Sequence, residues 1–169
     1  MIKIYKDTDP ILRESSEDVA LPLQEKDLKL FQKMRSFVLK TQKKNYQEGK
    51  IAVGISAVQL GKLKKIIYIK FSEHEEYGII NPKIIRHSTH KCYLGGGESC
   101  LSVDNDYFGF VPRYLFIEIK YFDIFSNKWV QKTFHEYQSI VIQHELDHLN
   151  GILYIDKLEK KIESEWHEI

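Results

Sequence analysis

His144-Glu145-Leu146-Asp147-His148 is the stretch whose residue types and spacing offer chemistry most directly. On a helix, residues four apart stand one above the other, so the two imidazoles project from one face, close enough to share a metal ion. Glu145 lies between them, beside that ion. Counting back from His144 in threes and fours gives Tyr137, Ile140 and Val141, so the histidine face prolongs an apolar face and points inward. Imidazoles in an apolar setting need partners, and a metal satisfies both at once.

Two histidines leave a metal short of ligands. Downstream, Glu159, Glu163, Glu165, His167 and Glu168 lie in or beyond a Lys/Glu-rich tail that reads as a solvated segment, so the third ligand is sought upstream. The chain has two cysteines, Cys92 and Cys100, and a reducing compartment keeps such thiols for metal or chemistry rather than a disulfide. Cys100 follows Gly95-Gly96-Gly97-Glu98-Ser99, a run that lets backbone approach a site closely. A thiolate there suits a divalent metal, which favours Cys100 over Cys92.

Gln143-His144-Glu145-Leu146-Asp147-His148, Glu98-Ser99-Cys100-Leu101-Ser102 and Gly54-Ile55-Ser56-Ala57-Val58-Gln59 resemble the three motifs of the peptide deformylases, in that family's order. The similarity runs from about Asp9 to Leu153, with the tail after about Leu158 outside it. The resemblance implies one divalent metal held by Cys100, His144 and His148, natively Fe2+ and replaceable by Ni2+, Co2+ or Zn2+. It implies that Glu145 takes a proton from water acidified by the metal and passes it to the leaving amine. The Gln59 amide and the Leu101 backbone N–H would stabilise the oxygen that gains charge. N-formyl-methionyl nascent peptides would lie extended against Val53 and Gly54, with methionine in an apolar pocket lined by Ile140 and Val141. Arg113 would pair with Asp147 and brace the metal helix.

Two positions depart from the family pattern: Ala52 and Ser99 stand where glycine is usual. Ser99 adjoins the candidate ligand, and its side chain is expected to crowd substrate while leaving the ligands and Glu145 intact. A catalytically impaired metal-binding scaffold is the alternative reading, and retention of Glu145 and Gln59 speaks against it. A zinc endopeptidase lacks a credible downstream ligand.

These residues need elements to hold them. The helix carrying the histidines is expected from about His135 to Leu149, closed by Asn150-Gly151. Leu28, Phe31, Met34, Phe37 and Val38 mark an amphipathic helix over 25–46. Strands are expected at Ile66–Phe71, at Gly78–Pro82 with proline as the stop, and at Ile152–Ile155. Leu115, Ile117, Ile119 and Tyr121 alternate with Phe116, Glu118, Lys120 and Phe122, and a turn at Phe125–Lys128 leads into Trp129-Val130, which reads as a hairpin. The class is α+β, with mixed or antiparallel sheets packed around a central C-terminal metal-binding helix.

At 169 residues and 43% hydrophobic content, the chain suits one catalytic domain spanning 1–169. Its 25 Lys and Arg against 24 Asp and Glu provide no field to draw it onto nucleic acid or a membrane. No signal peptide or membrane-spanning run is present in the sequence, so a cytoplasmic location is expected. Contact with the ribosome is inferred from the nascent-chain substrate alone, as transient, and the chain is taken to act as a monomer.

Overall fold

In the computed structural model, which describes residues 2–105 and 107–169, the elements follow in the order α1 (Glu25–Thr41), β1 (Gly54–Ser56), β2 (Ile66–Ser72), β3 (Glu75–His87), β4 (Lys91–Tyr93), β5 (Arg113–Tyr114), β6 (Phe116–Asp123), β7 (Lys128–His135), α2 (Glu136–Leu149) and β8 (His167–Glu168). Among the described residues, β1-β2-β3-β6-β7 form an antiparallel sheet with β1 at its edge. A smaller sheet has the order β5-β4-β8, with β4 antiparallel to β5 and parallel to β8. The α2 helix touches β1, β2, β6 and β7 of the first sheet and β4 and β5 of the second, giving the expected α+β arrangement with the histidine helix at its centre.

Phe31, Met34 and Val38 of α1 are buried against Tyr68, Ile80 and Phe122. The helix stops at Thr41 rather than at residue 46. The Thr41 hydroxyl bonds back to the Val38 carbonyl and accepts the Ala52 N–H, so the returning chain occupies the place where another turn would go. Leu28 is 38% exposed, leaving a narrower apolar stripe than the spacing implied.

Proline does not end β3. The register shifts between Ile80 and Lys83, and Asn81 takes φ 50° and clasps the backbone of Val19 through both ends of its amide. A bulge admits Pro82 inside the strand, because the missing N–H falls where the ladder is already broken.

The β6–β7 hairpin forms as its alternation indicates, paired from Phe116↔His135 to Asp123↔Lys128. Ile117, Ile119, Tyr121 and Phe134 face inward and pack with Ile142, Leu146 and Leu149 of α2. The far end of α2 is closed by Asn150 and by Gly151 at φ 71°.

Beyond it, 152–155 is not a strand. Asp156 accepts the Leu153 N–H and curls Tyr154–Lys157 into a short 3-10 turn. Residues 159–165 are exposed, as a solvated tail would be, but the last residues return. His167 and Glu168 align with Cys92 and Tyr93, and the Tyr93 hydroxyl donates to Glu168. Among the described residues, no helix is long and apolar enough to cross a membrane.

Candidate active site

Three segments converge on one point. The α2 helix supplies His144, Glu145 and His148. The loop after β4 supplies Glu98, Ser99 and Cys100, and β1 with the 3-10 turn Ala57–Leu60 supplies Ser56 and Gln59. The loop turns on a Gly97 N–H to Leu94 carbonyl bond, with Gly97 at φ 77°, a conformation glycine adopts without strain.

The donor atoms of Cys100, His144 and His148 all lie within 4.8 Å of one another. Cys100 Sγ is 3.2 Å from His148 Nε2. Metal bonds of about 2.3 Å to sulfur and about 2.0 Å to imidazole put tetrahedral ligands roughly 3.3–3.5 Å apart, so this donor set fits a divalent ion. Both cysteines are free and buried, and of the two it is Cys100 that meets the histidines.

The neighbours of each donor set the charge it carries. Burial alone would push the Cys100 thiol up, but neighbouring His148 and His144 outweigh it and hold it well below the usual thiol range. Cys92, away from the ring, is pushed up to about 11, chiefly by burial. Burial would lower His144, yet Cys100 and Glu98 outweigh that and raise it well above an ordinary imidazole.

Sequence reasoning assigned no role to Glu98, and the structure makes it the hub of the support. Its carboxylate accepts from Arg113 Nε and Nη2, both at 2.8 Å, and from His144 Nδ1 at 2.8 Å. Burial opposes its charge, but Arg113 and His144 overcome that and bring Glu98 down to about 2. An ionised carboxylate only accepts, so His144 keeps a proton on Nδ1 towards Glu98, and Nε2 is the nitrogen that would give up its proton to a metal. Arg113, only 1% exposed, also bonds Asp147, which Lys157 meets at 2.6 Å. One buried network thus ties the glycine loop, β5 and α2 together. An acid two residues before the candidate ligand, opposite histidines that need an acceptor, was the signal available for Glu98.

Glu145 is 4% exposed. Burial raises its carboxyl above the ordinary range, against the pull of His148, His144 and a Ser56 hydrogen bond. Gln59 is 2% exposed; its Oε1 accepts the Ser56 N–H, while Nε2 points to Ser102 Oγ at 3.1 Å and Cys100 Sγ at 3.7 Å. The residue therefore caps its turn and faces the ring together. Ser56 and Ser102 stand within the motif strings, but neither residue type nor spacing gave them a role.

A cleft of about 280 Å³ opens onto this point, lined among others by Ala52, Val53, Gly54, Gln59, Ser99, Cys100, Leu101, Tyr137, Ile140, Val141, His144 and Glu145. Every pocket residue expected from the sequence is on its wall. Ile140 is buried, Tyr137 is half-exposed at the rim, and Ser99 is exposed. The Val53 carbonyl already accepts the Lys70 N–H across to β2. The alternation of the strand turns the backbone groups of Gly54 the other way, to the open edge of the sheet.

Comparison with known proteins accords with this geometry. The polypeptide deformylase family model matches residues 1–163, reaching further into the tail than the motifs alone indicated. The chain is 37% identical over 168 residues to peptide deformylase 2 of Bacillus cereus, covering 95% of this chain and 91% of that one. It is 39% identical over 165 residues to a peptide deformylase of Oceanobacillus iheyensis, covering 94% and 90%. The Met-Ala-Ser-bound crystal structure of a class I type b peptide deformylase from Acinetobacter baumannii superposes with a TM-score of 0.78 at 25% identity, covering 94% of this chain and 98% of that one.

Proposed function

The chain belongs to the polypeptide deformylase family, and on that premise we propose that it removes the formyl group from the N-terminal methionine of polypeptides as they leave the ribosome, releasing formate. The observation that carries this reading is the ring of Cys100, His144 and His148, with Glu145 beside it, where the cleft opens.

Cys100, His144 and His148 would hold the metal, for which one thiolate and two imidazoles suit Fe2+, with Ni2+, Co2+ or Zn2+ in its place. When bound, the ion supplies Lewis acidity, acidifying water and drawing charge from a carbonyl oxygen.

The chain's own residues do the rest. Glu145, buried and with its proton affinity raised, accepts a proton at its carboxylate and returns it to the departing amine nitrogen. Gln59 Nε2 and the Leu101 N–H provide donors for the formyl oxygen as it gains charge. The open edge at Gly54 pairs with an extended peptide by strand addition, and Val53 forms part of the wall. Ile140 and Val141 enclose the methionine side chain and keep water from the reacting carbon. Glu98, Arg113 and Asp147 keep the ligand-bearing helix and loop in register. The A. baumannii relative, bound to Met-Ala-Ser, supports a peptide of this kind as the ligand.

The test is formate release from formyl-Met-Ala-Ser by protein loaded anaerobically with Fe2+ or Ni2+. Release that a chelator abolishes and added ion restores supports the proposal. A folded, metal-loaded protein that releases none overturns it.

A further inference from the structure

A carboxylate on a helix is not oriented by the helix alone, because the last torsion of glutamate is soft and two-fold. One short strand nevertheless holds one oxygen of Glu145 and faces the other. The Ser56 hydroxyl lies 2.6 Å from Glu145 Oε2 and 3.0 Å from the Glu145 carbonyl. Ser56 is fully buried, so water does not compete for that bond. Two residues earlier on the same face of β1, Gly54 leaves room for the other oxygen: a Cβ at Gly54 would lie 2.8 Å from Oε1.

We propose that Ser56 is a positioning residue for deformylation: its hydroxyl fixes the rotation of the Glu145 carboxylate, engaging Oε2 and leaving Oε1 turned to the cleft beside Gly54. This rests on the function proposed above. A hydroxyl carries one hydrogen, and the shorter of its two contacts is to the carboxylate, where a charge-assisted bond is the stronger. With Oε2 engaged, Oε1 is the oxygen that meets substrate.

The same residue sets a second group. The Ser56 N–H donates to Gln59 Oε1 at 2.9 Å, which turns Nε2 of that amide towards Cys100 and Ser102. Ser56 thus holds Gln59 through its backbone and Glu145 through its side chain. The two roles separate cleanly, because alanine keeps the backbone N–H and loses only the hydroxyl.

The test measures kcat and KM for formate release from formyl-Met-Ala-Ser by metal-loaded wild type, Ser56→Ala and Ser56→Thr, with metal content and Tm recorded for each. Loss of carboxylate orientation is expected to lower kcat between about tenfold and 100-fold. KM should stay within about twofold, the metal content should stay full, and the hydroxyl of Ser56→Thr should restore most of the rate. If Ser56→Ala does not fold, Ser56→Cys, close in shape and a weaker donor, is read in the same way. A kcat within about twofold of wild type, or a threonine variant as slow as alanine with full metal content, overturns the inference. Wild type that releases no formate overturns the reaction itself, and this inference with it.

Discussion

Replacing Glu98 with alanine removes three hydrogen bonds at once, two from Arg113 and one from His144. Arg113 stays buried at 1% exposure with Asp147 as its remaining carboxylate. Each charge-assisted bond is worth about 1.5–3 kcal/mol taken singly, but breaking a buried pair typically measures about 3–5 kcal/mol. The surviving Asp147 contact favours the second figure. The depression of Glu98 from 4.5 to about 2 corresponds to about 3 kcal/mol, in the same range.

For a chain of this length that predicts a fall in Tm of roughly 6–20 °C. It also predicts a fall in metal affinity of about 10- to 100-fold, because His144 loses the acceptor that fixes its tautomer. The pH dependence has a definite sign. The folded-state value lies below the unfolded one, so the Glu98 contribution is present above pH 4.5 and is lost as pH falls towards about 2. Wild type should therefore lose its advantage over Glu98→Ala across that window. Denaturant and thermal melts from pH 2 to 7, with metal titrations at pH 7, provide the assay. A stability loss under about 1 kcal/mol at pH 7, or unchanged metal affinity, would show that Glu98 is not the hub of this network.

Gly54→Ala should drive its new Cβ against Glu145 Oε1, 2.8 Å away, lowering kcat by at least about tenfold while Tm hardly moves; steady-state kinetics beside a melt decide it. Gly151→Ala meets both a φ of 71° and the Arg13 carbonyl oxygen at 2.5 Å, and the backbone strain alone is worth roughly 1–3 kcal/mol, to be read by denaturant unfolding. Ser99→Gly, which clears an exposed side chain from the cleft wall, should raise kcat/KM or leave it unchanged, and a large loss in the same assay would contradict the crowding argument.

The sequence disclosed what periodicity governs. His144 and His148 fall on the inward face of α2 because Ile140 precedes them at helical spacing, and Ile117, Ile119 and Tyr121 reach the core because they alternate. It did not disclose what long-range contacts govern. Thr41 ends α1 through a bond to Ala52, Asn81 makes room for Pro82 by clasping Val19, and Asp156 curls the segment expected as a strand. The tail's composition indicates solvation, and it is the distant partner β4 that draws His167 and Glu168 back. At the site, ligands have types and spacings that announce them, whereas Glu98 and Ser56 matter through the atoms opposite them, 46 and 89 residues away.

The most direct test of the account is single-turnover formate release by metal-loaded Glu145→Gln, with bound metal measured in the same sample. A full complement of metal and a rate at least about 100-fold below wild type are expected, since the proton carrier is gone while Cys100, His144 and His148 remain. A variant that holds its metal and releases formate at the wild-type rate would contradict the assignment of Glu145.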